Sequence, residues 1–96
     1  MPYCELILKN KQKVQENKNF KWKEYKEDIF QFIFYLKSGE KIILPENKKY
    51  FYFKTASSGF GENQKIEKYS FGYINNNIKT TYIYDGNSLF VNENEL

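Results

Sequence analysis

Histidine and arginine are absent from this chain, tryptophan and alanine occur once each, and Cys4 is the only cysteine. Each gap removes a class of chemistry. Without histidine, the commonest general base is missing. With one cysteine besides, a zinc site within one chain lacks donors and an internal disulfide lacks a partner. Cys4 has no imidazole to activate it and stands beside the apolar run Leu6-Ile7-Leu8. It reads as a small buried hydrophobe. No acidic cluster has the spacing of a calcium loop. The aspartates are Asp28 and Asp85 alone, and Glu24 and Glu27 sit among lysines, so no carboxylate pair is marked out for hydrolysis. Gly59-Phe60-Gly61 lacks the Lys-Ser/Thr of a phosphate loop. The expectation is no enzyme, no metal and no cofactor.

Long apolar runs are also lacking. The longest, Ile29 to Leu36, is interrupted by Gln31, and a membrane helix needs about 20 residues. No secretory segment is recognisable. With a single thiol, these absences suggest the cytoplasm (bacterial, or of the host if the chain is phage-encoded) and no membrane partner. Scarce alanine and arginine beside abundant Lys, Asn, Ile, Phe and Tyr is the mark of A/T-rich codons, as in an A/T-rich bacterium, its phage or a plasmid.

What is present is aromatic: nine Phe, nine Tyr and one Trp in 96 residues. Each ring can bury about 150–250 Å², so one small domain, residues 1–96, can build its core from rings. The net charge is +3, unevenly placed: eleven Lys against seven acids in residues 1–49, and four against five in residues 50–96. Lysine is a point charge that lacks the bidentate fork of arginine.

Alternation sets the fold. Tyr3 to Lys9 reads as a strand, and residues 10–19 as a polar loop or short helix. From Asp28, Phe30, Phe32, Phe34 and Leu36 share one face, with Ile29, Ile33 and Tyr35 on the other. A three-residue loop, Ser38 to Glu40, would pair Leu36 with Ile42. Lys49 to Thr55 alternates Phe51 and Phe53 with Tyr50 and Tyr52, which suggests Phe inward and Tyr outward. Residues 55–65 read as a flexible loop. Ile66–Asn75 and Ile78–Tyr84 flank an Asn76-Asn77 type I′ turn that pairs Tyr73 with Thr80, Phe71 with Tyr82 and Tyr69 with Tyr84. Asp85-Gly86 starts another hairpin, and residues 92–96 read as a frayed acidic tail. The fold class is therefore all-β, a small antiparallel meander forming a sandwich or partly open barrel. The alternative is α+β, with residues 10–26 helical against one sheet.

Two binding surfaces are suggested. Strand 29–36 is apolar on both faces and needs a second cover, either Phe20–Tyr25 or another chain. Tyr50, Tyr52, Phe60, Ile33 and Tyr35 are the candidate protein-contact residues. Tyr69-Ser70-Phe71-Gly72-Tyr73-Ile74 resembles the RNP1-type strand of RNA-recognition and cold-shock domains, in which alternate aromatics stack on bases. That resemblance implies Tyr69, Phe71, Tyr73, Tyr82 and Tyr84 as a stacking platform. Lys9, Lys11, Lys13, Lys18, Lys21 and Lys23 would track the phosphates. The function expected first is a non-enzymatic interaction module, a phage or mobile-element inhibitor of a larger host (defence) protein, with a homodimer as a further option. The alternative is a single-stranded nucleic-acid binder.

Overall fold

The computed structural model describes residues 1–58 and 65–96, and of residues 57, 58, 65 and 66 the backbone only. Along the chain run β1 (Tyr3–Leu8), β2 (Lys13–Gln15), α1 (Trp22–Tyr25), β3 (Ile29–Tyr35), β4 (Lys41–Ile43), β5 (Lys49–Ser58), β6 (Lys65–Asn75), β7 (Ile78–Tyr84) and β8 (Leu89–Glu95). They form two four-stranded sheets: sheet A in the order β2-β1-β3-β4, and sheet B in the order β5-β6-β7-β8. Every pairing is antiparallel. The fold is an all-β sandwich, neither a closed barrel nor α+β. Residues 10–26 hold only β2 and one helical turn. Among the described residues no helix is long and apolar enough to cross a membrane.

Turn chemistry explains the register. Asn76 and Asn77 both adopt positive φ, 50° and 67°, as a type I′ hairpin requires. The expected pairs Tyr73↔Thr80, Phe71↔Tyr82 and Tyr69↔Tyr84 follow. The Asp85 carboxylate accepts the amides of Asn87 and Ser88 at 2.8 Å, which launches β8. That strand continues to Glu95, and the Leu96 amide donates to the Asn77 carbonyl at 2.8 Å. Residues 92–95 are thus paired, not frayed. In sheet A the loop is Lys37-Ser38-Gly39 rather than Ser38–Glu40. Gly39 takes the left-handed third position at φ 94°, and the Leu36 amide donates to Glu40. Phe34, not Leu36, therefore faces Ile42. The shift is two residues, so the faces are unchanged. Of the loop expected over residues 55–65, residues 55–58 extend β5 and Lys65 opens β6; the remainder lies outside the described residues.

The core lies between the sheets. Cys4, Leu6, Phe32, Phe34 and Leu44 from the sheet A side meet Tyr50, Tyr69, Phe71 and Tyr84 of sheet B. Phe34 stacks on Phe71 at a centroid distance of 4.2 Å, and Phe32 on Phe71 at 5.6 Å. The expected Phe-in, Tyr-out arrangement of β5 is reversed. Tyr50 is buried, whereas Phe53 is 68% exposed. The cause is register with β6. Tyr52 faces Phe71 and Tyr50 faces Tyr73, whereas Phe51 and Phe53 fall opposite Gly72 and Ser70. Small residues cannot fill a core, so β6's ring-bearing face turns inward and β5 must follow.

A single helical turn is too short to hold itself. α1 is fixed by its rings: Trp22 meets Phe32 at 6.0 Å and Tyr52 at 5.9 Å, and Phe20 stacks on Tyr25 at 5.6 Å. Phe32 is a core ring. The Phe20–Tyr25 segment therefore closes the side of the sandwich and does not cover the outer face of β3. On that face Ile33 is buried in a row between Glu5 and Ile43, and Tyr35 stacks on Tyr3 at 4.6 Å.

Candidate binding surfaces

The polar groups inside the sandwich are engaged with one another. Glu16, just past β2, accepts the Tyr52 hydroxyl at 2.8 Å and the Cys4 amide at 3.1 Å. This carboxylate ties the β1–β2 hairpin of sheet A to β5 of sheet B. Burial pushes the Cys4 thiol far up, and the Glu16 charge and hydrogen bond add to it. Cys4 therefore stays a protonated hydrophobe, not a nucleophile. Burial, then the bond to Glu16, also holds the Tyr52 hydroxyl far above its ordinary value.

These shifts make stability depend on alkaline pH. Unfolded Cys and Tyr lose protons near their ordinary values of about 8.5 and 10. The folded groups keep theirs, so above those values the unfolded chain binds fewer protons and stability falls as pH rises. Their contribution is complete below about pH 8 and declines from about pH 9 upward. Urea midpoints at constant salt should fall between pH 8 and pH 10.5, and Tyr52→Phe should flatten the decline. A midpoint unchanged over that range would contradict the assignment.

The candidate contact residues fall in different environments. Tyr50 is buried. Its hydroxyl donates to the carbonyls of Pro45 and Phe30, the latter at 3.0 Å, and accepts the Lys48 amide at 3.3 Å. Ile33 is buried, and Tyr35 is half-buried with its hydroxyl donating to Glu5 at 3.4 Å. Phe60 lies outside the described residues. Tyr52 is half-buried and lines a groove described below. The RNP1-like platform faces the wrong way for stacking on bases. Tyr69, Phe71 and Tyr84 are core residues, and Tyr73 and Tyr82 pack against them. Sheet A covers the face that carries them. The lysines divide into two groups: Lys9, Lys11 and Lys13 on the β1–β2 hairpin, and Lys18, Lys21 and Lys23 around α1.

Two open surfaces emerge instead. The first is a groove of about 660 Å³ between α1 and the β5 edge, lined by Lys21, Trp22, Lys23, Glu24, Lys26, Tyr52 and Phe53. Its walls are aromatic and its rim carries three lysines against one glutamate. β5 ends sheet B, so one of its edges has no strand partner among the described residues.

The second is the outer face of sheet B. Alternation puts Phe53, Ser70, Ile83 and Phe90 in one row, and Phe51, Gly72, Thr81 and Asn92 in the next. Lys49, Ile74, Lys79 and Asn94 form a third row, and Lys68, opposite Thr55, flanks the first. The carboxylates of β6 and β8, Glu67, Glu93 and Glu95, share the parity of the inner set. The described outer positions therefore carry three lysines against one acid, Asp85, which follows β7 and lies near Lys68. Phe53 is 68% and Phe90 62% exposed. Phe51 lies over Gly72, where its Cζ would stand 2.8 Å from an added Cβ, and the Lys79 ammonium sits 4.7 Å from the Phe51 ring centre. Sequence reasoning missed this face. The usable signal was the contrast within β6 between Tyr69, Phe71 and Tyr73 on one side and Ser70 and Gly72 on the other.

No family model, curated protein or solved structure matches this chain.

Proposed function

We propose that this protein is a non-catalytic protein-binding module that takes an extended, acidic segment of its partner into the groove between α1 and β5. The observation that carries this reading is the place of the groove beside an unpaired strand edge. A segment laid there adds to β5 as a further strand. Its backbone amides and carbonyls satisfy the open edge, and alternate side chains enter the groove against Trp22 and Tyr52. Lys21, Lys23 and Lys26, opposed by Glu24 alone, favour carboxylates over cations at the rim. Acting in this way, a domain of this size would work by covering a surface on a larger protein, as an inhibitor does.

Trp22 is the chain's one tryptophan, so its emission reports on the groove directly. Affinity capture from the source cells should recover a protein that the K21E/K23E/K26E variant fails to retain. Adding the recovered protein should shift Trp22 emission in the wild type. Equal recovery by both proteins, or an emission that does not change, would count against the groove.

A further inference from the structure

We propose that the outer face of sheet B binds single-stranded nucleic acid. This goes beyond the protein-binding reading and uses a different surface, sharing only Phe53 with the groove.

The argument starts from parity. A strand exposes every second residue on each face. Once Tyr69, Phe71 and Tyr84 are in the core, alternation leaves Ser70, Gly72, Thr81 and Ile83 as the opposite floor. Ser70, Gly72 and Thr81 are short, and the Phe51 ring lies over Gly72 beside the Lys79 ammonium, so the floor is shallow. Phe53 and Phe90 rise at its two ends, on the two edge strands of the sheet. Three strand spacings of about 4.8 Å separate them by about 14 Å. Both rings are mostly exposed, and no other segment stacks on either in the described residues. Exposed phenyl groups flanking a shallow floor of mixed polar and apolar groups suit bases, because every base has a π-face and stacking tolerates sequence.

Charge decides between occupants. Lys68 stands on one side of the Phe53–Phe90 row, and Lys79 and Lys49 stand on the other. Asp85, just past β7, is the one carboxylate among the described positions at this face, where it lies near Lys68 and accepts the Asn87 and Ser88 amides, so three lysines stand against one acid. A protein partner of ordinary composition would bring both signs of charge to its contact surface. A phosphate backbone brings one sign only, at regular spacing, and that complements the lysine excess of this face. The track crosses the strands, with bases toward the row of rings and phosphates toward the flanking lysines. This placement differs from the tyrosine platform suggested by the RNP1-like stretch, which lies on the opposite side of the same sheet.

The test is fluorescence anisotropy with a labelled 15-nucleotide oligo-dT and the matching oligo-rU. Binding is expected at ~50 mM salt. Three phosphate contacts predict about a hundredfold weakening for a tenfold rise in salt. Phe53→Ser and Phe90→Ser should each weaken binding by between about fivefold and 100-fold, and K68E/K79E should abolish it. Each position is exposed or half-exposed, and unchanged circular dichroism checks the fold. The K9E/K11E/K13E variant, altered on the other sheet, should bind as the wild type does. Three results would overturn the proposal: no binding at ~50 mM salt, loss only in K9E/K11E/K13E, or equal affinity for a poly-glutamate peptide. The last would make the occupant an acidic protein surface. Failure here leaves the groove untouched, because K21E/K23E/K26E and Trp22 emission report on that surface separately.

Discussion

Phe34→Ala is expected to cost about 3–5 kcal/mol, as deletion of a fully buried ring does. Phe34 is completely buried and touches rings from three strands of the other sheet. Its centroid lies 4.2 Å from Phe71, 5.4 Å from Tyr69, 6.1 Å from Tyr84 and 6.3 Å from Tyr52. The rigid rings around it cannot collapse far into the void, and edge or stacked pairs add about 0.5–1.5 kcal/mol each beyond area. A domain this small has a total stability of about 5–10 kcal/mol, so the variant should sit near the folding threshold at 37 °C. Phe53→Ala provides the contrast, because the same residue type in the neighbouring sheet is 68% exposed. Its effect should stay within about 0.5 kcal/mol. Urea melts of the two variants measure both. Similar midpoints would mean that β5 and β3 do not face as described.

Gly72→Ala should be the more damaging change for its size. A Cβ at position 72 would stand 1.8 Å from the Thr80 carbonyl oxygen and 2.8 Å from the Phe51 Cζ. The ring can turn aside, but the carbonyl belongs to the neighbouring strand. Relief requires β6 and β7 to separate locally, which breaks the pairing of Gly72 with Thr81. One methyl group should therefore cost about 4 kcal/mol or more, in the range reserved for strain and broken networks. Thermal unfolding followed by circular dichroism tests this. A loss under about 1 kcal/mol would show that the strands approach less closely than described.

How much could be read beforehand varied by element. The β6–β7 hairpin was legible to the residue, because Asn76-Asn77 tolerates positive φ and the flanking alternation leaves one register. β3 was legible in its faces from Phe32 onward. At its start a bulge turns Ile29 into the core beside Phe32 and leaves Phe30 37% exposed, the reverse of the expected alternation. Its loop was missed because Gly39 can occupy more than one loop position. β5 was misread. Phe and Tyr are both large amphipathic or apolar rings, and hydropathy alone puts Phe inside. The decision belongs to the partner strand, which offers Gly72 and Ser70 to Phe51 and Phe53. Tyr50 and Tyr52 tolerate burial because their hydroxyls find Pro45, Phe30 and Glu16, and these are partners that local pattern cannot supply. β2 was hidden because its three residues carry one apolar side chain, Val14. The α1 groove was invisible for the same reason as the Glu16 bond. Both join segments some 30 residues apart, and only the packing of two sheets brings them together.

The chain completes one sheet before it begins the other. All of β1 to β4 lies in sheet A and all of β5 to β8 in sheet B, so a single covalent crossing, between Ile43 and Lys49, links the two layers. Strand pairing within each layer is thus local along the chain, and the slow entropic step is confined to docking one half on the other. Neither half has a second layer to cover its rings. The sandwich is in effect an intramolecular dimer of unlike halves, and cutting the backbone between Pro45 and Lys48 would turn its folding into a bimolecular association of two fragments.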